Sequence, residues 1–223
     1  MKALCLKDIN SYKNLVDKLF SLIDRLNPDI IICLGGFFLE NKFPPSFNEI
    51  PTSGSKTKFG VKLKKSITIE QKISTIGQTV VLEQLAIFGL PVILIPNKFD
   101  LNSKLAVKRA KNTENILYRW LDSKITSIEG WIFLGLSDNS LISNYMSYNI
   151  FDSNSILCTT DDPILLEKMF VENKNSVPKF LLFSDEFDSI TVPNITSYHI
   201  KSLTKEKINF IDFAHESFEE IQI

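Results

Sequence analysis

Short apolar runs alternate along the chain with segments whose apolar residues recur at helical spacing. The runs are ALCL (3–6), DIIICLGG (29–36), VILI (92–95), GWIFLGLS (130–137), NSILCTT (154–160) and KFLLFSDE (179–186). Because their apolar residues are continuous rather than alternating, we expect both faces of each strand to be covered by protein. The pattern therefore predicts an α/β architecture in which a partly parallel sheet, or sheets, is flanked by helices.

Four segments have the spacing of amphipathic helices. Residues 11–26 repeat apolar positions every three or four residues behind a candidate N-cap, Ser11. Further helices are predicted at about 68–88 and 103–122, and another begins after the sequence Asp-Asp-Pro at 161–163. Near the end, SYHIKSL and INFIDFAH predict an antiparallel C-terminal hairpin. We expect one domain over 1–223, with an irregular, basic insertion at about 40–66.

Composition limits the partners that the whole chain can attract. The 223 residues are 44% apolar and 23% charged, with a formal net charge of −1. This balance is typical of a globular protein with a real core, and it provides no overall field toward nucleic acid or membrane. Neither a signal peptide nor an apolar stretch near the roughly 20 residues needed to span a bilayer is evident. Cys5, Cys33 and Cys158 are far apart, which favours reduced thiols in a cytoplasmic protein over disulfides or a zinc site.

The segment PNKFD (96–100) spells the Asn-Lys-x-Asp by which GTPases recognise guanine, and it follows an apolar run. Nucleotide affinity, however, comes mainly from a Gly-x-x-x-x-Gly-Lys-Ser/Thr loop that holds the phosphates. The chain has no such loop: Gly-Ser-Lys-Thr at 54–57 lacks the upstream glycine and opens no predicted helix. Guanine-nucleotide binding therefore stays an alternative and is not the main expectation.

Read together, the ends of the predicted strands suggest a different relationship. The order strand, helix, Asn-Pro-Asp, strand, Leu-Gly, and later Pro-Val-x-x-x-Pro before a polar tetrad resembles the calcineurin-like metallophosphoesterases. The resemblance covers about residues 1–40 and 90–137, and 179–186 more loosely. It implies layered, metallophosphoesterase-like sheets whose strand ends hold a two-metal site.

Aligned with that family, most of the implied metal site is missing. The positions of this relic site are Asp8, Asn10, Gly36, Lys98, Phe99, Asp100 and Ser184. Two acids remain, in LKDINSY and IPNKFD, whereas asparagine, phenylalanine and serine stand where the family has histidines. Gly36 replaces the aspartate that bridges the metals, and no Gly-His-x-His occurs. The resemblance thus implies no catalytic residue, no bound metal and no cofactor.

The small number of histidines in the chain supports the expected loss of the metal site without any alignment. A two-metal hydrolase needs several imidazoles and carboxylates around cations roughly 3.5–4 Å apart. The chain has two histidines, His199 and His215, which we expect to be structural or exposed. Lys98 could form an ion pair with Asp8 and Asp100 where cations lie in the family, or it could simply point to solvent. A single metal ion at the two aspartates also stays open.

One region has the composition of a contact surface. The candidate interaction residues are Phe37, Phe38, Phe43, Phe47, Lys56, Lys58, Lys62, Lys64 and Lys65. Aromatic side chains rimmed by charge are typical of interface hot spots, although core packing and a solvated loop would also explain them. Lysines without arginine favour at most weak, sequence-independent and salt-sensitive nucleic-acid binding.

We therefore expect a catalytically inactive phosphoesterase-like protein that acts as a scaffold or interaction subunit. Its main partner should be another protein, in a complex that could be associated with nucleic acid, and not a membrane. The alternatives are a phosphoesterase with an atypical metal site and a guanine-nucleotide-binding protein.

Overall fold

The computed structural model describes residues 1–9, 15–37, 84–97, 100, 118–146, 150–173, 177–184, 186–188, 190–203 and 206–223. These residues form two sheets, one of six strands and one of five, with helices packed against them. The predicted basic insertion at 40–66, the first part of the predicted helix at 68–88 and residues 103–117 lie outside the described segments.

The strands are β1 (Lys2–Lys7), β2 (Ile30–Leu34), β3 (Val92–Ile95), β4 (Tyr118–Trp120), β5 (Lys124–Ile128), β6 (Trp131–Leu136), β7 (Ser155–Thr159), β8 (Phe180–Ser184), β9 (Thr196–Ile200), β10 (Lys207–Asp212) and β11 (Ser217–Gln222). The helices are α1 (Leu15–Leu26), α2 (Ser143–Met146) and α3 (Ile164–Glu172), with short 3₁₀ helices at Ala86–Phe88 and Asn139–Ile142.

Both sheets are parallel in their centres and antiparallel at an edge. The six-stranded sheet has the order β11-β10-β1-β2-β3-β4; β1 to β4 run parallel, and β10 pairs antiparallel with both β1 and β11. The five-stranded sheet has the order β5-β6-β7-β8-β9, in which β5 is antiparallel and the others are parallel. Strands buried on both faces explain the continuous apolar runs.

The core has three layers. Between the two sheets, inward residues such as Cys5, Ile32 and Ile93 pack against Phe133, Cys158 and others of the second sheet. On its outer face the first sheet packs against α1, and on its outer face the second sheet packs against α2 and α3. The chain therefore forms two face-to-face sheets with helices outside, which confirms the predicted fold class.

Burial keeps the three cysteines in the thiol form. Cys5, Cys33 and Cys158 are free and fully buried. Removal from water raises the pKa of each thiol, and in Cys5 the neighbouring Cys158 and Cys33 raise it further. Within the described residues, no helix has both the length and the apolar character to cross a bilayer.

Two sequence-based assignments were wrong in detail, and one strand was missed. Residues 118–120 end no helix; they form β4, in which Tyr118 and Trp120 are buried and Arg119 is exposed, and this period of two fits a strand at the edge beside β3. The strand β5 was not predicted, because its sequence KITSI is largely polar.

The predicted C-terminal hairpin exists, but its strands were misassigned. SYHIKSL contributes to β9, which pairs parallel with β8, whereas INFIDFAH contributes to β10, which belongs to the other sheet. The hairpin is formed by β10 and β11. The acidic strand β11 is mostly exposed and buries Ile221.

Candidate functional site

The carboxyl ends of the parallel strands in both sheets meet at one edge of the molecule. Thr160, directly after β7, donates its hydroxyl hydrogen to the carbonyl oxygen of Pro96, directly after β3, at 2.7 Å. Lys7 at the end of β1 reaches Glu186, two residues past β8, across the two sheets. Ligand sites in open α/β sheets lie at this edge, because loops from several strands converge there.

At this edge Asp8 is held by an ammonium group and a hydroxyl. Its Oδ2 accepts hydrogen bonds from Lys7 Nζ at 2.9 Å and from Ser202 Oγ at 2.6 Å. Lys7 Nζ also donates to Glu186 Oε1 at 2.7 Å. The side chain of Lys7 is 6% exposed, against 24% for Asp8 and 68% for Glu186. These four residues, called here the Lys7 cluster, thus place a mostly buried cation between a partly buried and an exposed carboxylate.

The charge of Lys7 is stable in this position. Burial alone lowers the pKa of Lys7, since it disfavours the ammonium form, but hydrogen bonds to Glu186 and Asp8 raise it more. The net pKa lies above its ordinary value. Lys7 is therefore an ammonium throughout the neutral pH range, and Asp8 faces a permanent positive charge.

Gly36 leaves no room for the acid that the family resemblance would put there. Its φ is +64°, and a Cβ added to it would lie 2.2 Å from Asp8 Oδ1 and 2.5 Å from Asp8 Cα. Asp8 itself has a φ of +58°, a conformation that aspartate tolerates better than most residues. Two residues with left-handed backbone conformation thus pack directly against each other. With this backbone, any side chain at position 36 would clash with Asp8.

The carboxylate of Asp100 accepts hydrogen bonds from backbone amides. It is 1% exposed, and its Oδ1 and Oδ2 accept hydrogen bonds from the amides of Phe37 and Asn97, each at 3.0 Å. In return Asn97 Oδ1 accepts from the amide of Asp100 at 2.9 Å. The carboxylate therefore ties the chain after β2 to the chain after β3. Because both of its oxygens face buried amides, it does not present the exposed edge that guanine recognition requires.

Ser184 occupies the end of β8, where the resemblance implies a histidine. It is 3% exposed, and its Oγ accepts a hydrogen bond from the amide of Glu186 at 3.2 Å. This contact shapes the turn that brings Glu186 back toward Lys7. The role of Ser184 that the structure describes is thus to hold the backbone at the end of a strand.

The described residues at this edge do not fit a pair of divalent cations. Position 36 has no acid and no space for one. Asp8 is paired with the ammonium of Lys7, and both carboxylate oxygens of Asp100 accept hydrogen bonds from backbone amides. Among the residues that the structure describes, no three His, Cys, Asp or Glu side chains converge as a metal site would require. Two-metal hydrolysis depends on such a ligand set, so we derive no catalytic step through metal ions.

The remaining predicted site residues divide into two groups. Asn10, Lys98 and Phe99 lie outside the described segments, as do all candidate interaction residues except Phe37. The predicted pairing of Lys98 with the two aspartates therefore stays a prediction, while the ammonium observed on Asp8 belongs to Lys7. Phe37 is 1% exposed, with its ring centroid 5.9 Å from that of Trp120, so it is a core residue, the alternative left open above.

The two histidines lie in different sheets. His199 lies within β9, where its ring centroid is 4.3 Å from that of Phe183. His215 lies in the turn between β10 and β11, with an 80% exposed side chain 2.7 Å from Asp212. The histidine and two backbone amides lower the pKa of Asp212, although its burial opposes this.

Sequence reasoning missed Lys7, Glu186 and Ser202. The signal for Lys7 was present: Ala3 and Cys5 point into the layer between the sheets, and residue 7 continues that period of two. A lysine on a buried face needs a partner. Glu186 is 179 positions from Lys7, and Ser202 is 194 positions from Asp8, so only the fold brings them together.

No protein-family model matches the sequence, and no curated protein matches it. Several solved structures share the fold. One crystal structure has a TM-score of 0.71 at 14% identity, covering 99% of this chain and 98% of that chain. The protein TT1561 of Thermus thermophilus has a TM-score of 0.69 at 8% identity, with the same coverage. A novel archaeal phosphodiesterase has a TM-score of 0.56 at 12% identity, covering both chains completely. At these identities the likeness establishes the fold alone, which this chain shares with the archaeal phosphodiesterase and the two other structures.

Proposed function

We propose that this chain is a phosphoesterase-like protein that has lost metal-dependent hydrolysis and serves as an interaction subunit. The observation that carries the proposal is the ammonium of Lys7, 2.9 Å from Asp8, at the edge where the active fold would place its metals. A fixed positive charge repels a cation from Asp8, which stays partly exposed.

The backbone around Gly36 supports the same conclusion. A bridging carboxylate contributes to both metals in a two-metal site, and its loss removes a ligand from each. Here the loss is structural as well as chemical, because the approach of Asp8 to Gly36 leaves no room for any side chain. Regaining hydrolysis would require a different path for the backbone and not one substitution alone.

The proposed interaction role rests on the composition of residues 38–65 and on the partner chemistry that it favours. Phe38, Phe43 and Phe47 precede a lysine-rich stretch at 56–65 in the sequence, and aromatic residues combined with positive charge suit a protein partner. Weak, salt-sensitive contact with nucleic acid would accompany this charge. Three buried, free thiols support a reducing, cytoplasmic location.

A hydrolysis assay tests the loss of activity. The wild type is incubated with bis(p-nitrophenyl) phosphate and with p-nitrophenyl phosphate in the presence of Mn²⁺, Ni²⁺ or Zn²⁺. We expect no turnover above that of metal and buffer alone. Turnover that disappears in Asp8→Ala and Asp100→Ala would contradict the proposal and favour an atypical metal site.

A pull-down from native lysate tests the interaction role. The wild type is compared with a variant in which residues 43–65 are replaced by a short Gly/Ser linker, after both are shown to have the same circular dichroism spectrum. We expect the wild type to recover a protein that the variant does not. Recovery of the same proteins by both, or of none by either, would place the interface elsewhere or remove it.

A further inference from the structure

We propose that Lys7 is a built-in cation that takes the place of a metal ion, and that removing its side chain opens a latent site for one divalent cation. This inference rests on the proposed function, because it concerns the same edge of the fold. It adds the identity of the group that keeps metal ions out of that edge. The Lys7 cluster carries it, with one ammonium, two carboxylates and one hydroxyl in contact.

The ammonium lies where a cation would have to lie to use both carboxylates. Nζ is 2.9 Å from Asp8 Oδ2 and 2.7 Å from Glu186 Oε1, although the two acids belong to segments that follow strands of different sheets. Protein oxygens bind Ca²⁺ at roughly 2.3–2.6 Å and Mg²⁺ at roughly 2.0–2.1 Å. An ion placed a few tenths of an ångström closer to Asp8 than Nζ is, followed by a small shift of the exposed Glu186, would therefore be within range of both carboxylates.

The lysine is held in this place by its surroundings. Its side chain is 6% exposed and follows Ala3 and Cys5 into the layer between the sheets, so its position is fixed by packing as well as by charge. Ser202 Oγ, 2.6 Å from Asp8 Oδ2, holds the carboxylate from the segment between β9 of the second sheet and β10 of the first. The cluster is thus a preformed arrangement of two acids around one buried positive charge.

Removal of the ammonium would leave two carboxylates facing the same space. Two negative charges at so short a distance repel each other, and a cation that is small enough to enter the space relieves this repulsion. Carboxylates and water molecules are ligands that Mn²⁺, Mg²⁺ and Ca²⁺ accept. The inferred ligand is therefore one hard divalent cation, held by Asp8 and Glu186.

Two substitutions separate loss of charge from gain of space. Lys7→Ala removes the ammonium and leaves room for a hydrated ion, whereas Lys7→Met removes the ammonium but fills the space with a side chain of similar length. Both are expected to melt below the wild type in EDTA. With millimolar Mn²⁺ or Ca²⁺, the Tm of Lys7→Ala should rise by about 2–4 °C, while those of Lys7→Met and the wild type should not change.

A double variant identifies the ligand. Lys7→Ala combined with Asp8→Asn keeps the space but removes one carboxylate charge, so the rise with metal should disappear. A rise in Lys7→Met or in the wild type equal to that in Lys7→Ala would overturn the inference. No rise in folded Lys7→Ala would overturn it as well.

A further measurement requires no variant at position 7. Mn²⁺ is titrated into the wild type and followed by electron paramagnetic resonance, with Asp8→Asn as the control. We expect all Mn²⁺ to stay free; one tightly bound Mn²⁺ per chain that is lost in Asp8→Asn would show that Lys7 does not close the site. If the wild type hydrolyses no substrate and the Tm of Lys7→Ala does not rise with metal, this inference is wrong but the proposed function stands. If the wild type hydrolyses substrate, the proposed function itself is wrong.

Discussion

Asp8 and Asp100 follow β1 and β3, two strands of one sheet that are separated by β2. The protein stabilises the two carboxylates by different means. Asp8 is paired with the ammonium of Lys7 and stays partly exposed. Asp100 is almost fully buried and accepts hydrogen bonds from two backbone amides. Hydrogen bonds from backbone amides cannot be removed by substituting another side chain, whereas the partner of Asp8 is a side chain that one substitution removes. The comparison indicates that a latent ion site belongs to the Asp8 side of the edge and not to the Asp100 side.

The largest effect is expected at Asp100. Asp100→Ala leaves the amides of Phe37 and Asn97 buried without acceptors, which should lower the free energy of unfolding by about 2–4 kcal/mol. Asp100→Asn keeps one acceptor oxygen and should lose about half as much. Urea denaturation measures both. Equal stability of Asp100→Ala and wild type would show that these amides find other partners.

The next effect concerns the approach of Gly36 to Asp8. Gly36→Ala should lower the free energy of unfolding by about 2–3 kcal/mol, since it combines strain at positive φ with a clash against Asp8. Gly89→Ala is the matched control, because Gly89 has a φ of +66° and nothing within 4 Å of an added Cβ. It should lose only about 1 kcal/mol. If the two variants lose the same amount, the contact with Asp8 is not tight.

A smaller effect is expected from the ion pair itself. A double-mutant cycle with Lys7→Met and Asp8→Asn should give a coupling free energy of about 1–2 kcal/mol, more than an exposed pair and less than a fully buried one. The same cycle for the exposed pair of Lys179 and Glu216 provides the control. Coupling no larger than in the control would contradict the account of Lys7 as a buried cation.

The pH dependence of this pair follows from the raised pKa of Lys7. A lysine with a raised pKa in the folded state stabilises it fully below the pKa of the unfolded chain, and this stabilisation is lost as pH rises through the folded-state pKa. The stability difference between wild type and Lys7→Met should therefore be constant from about pH 6 to 9 and shrink above about 10.5. A difference that shrinks near neutral pH would contradict the stable ammonium.

The smallest effect is expected at Glu186. Its side chain is 68% exposed, so its bond to Lys7 is screened by solvent, and Glu186→Gln should lower the free energy of unfolding by less than about 0.5 kcal/mol. Its consequence for ion binding should be larger: added to Lys7→Ala, it should weaken the rise in Tm with Mn²⁺. Full retention of that rise would show that Asp8 binds the ion without Glu186.

The sequence predicted the parts of this molecule that depend on local patterning. The continuous apolar runs identified β1, β2, β3, β6, β7 and β8, and the family motifs drew attention to Asp8, Gly36 and Asp100. The sequence could not predict which side chains surround Asp8, because Glu186 follows β8 of the other sheet and Ser202 lies between β9 and β10, both far from Asp8 along the chain. It also failed at β4 and β9, since whether a short apolar stretch joins a helix, a hairpin or a sheet edge depends on its tertiary neighbours.

The metal content of the purified protein tests the central claim most directly. The untagged protein is expressed in medium supplemented with Mn²⁺, Ni²⁺ and Zn²⁺, purified without chelator and measured by inductively coupled plasma mass spectrometry. The account predicts no metal near one equivalent per chain in the wild type, because Lys7 supplies the positive charge that Asp8 requires. One or two equivalents that are lost in Asp8→Ala would contradict it.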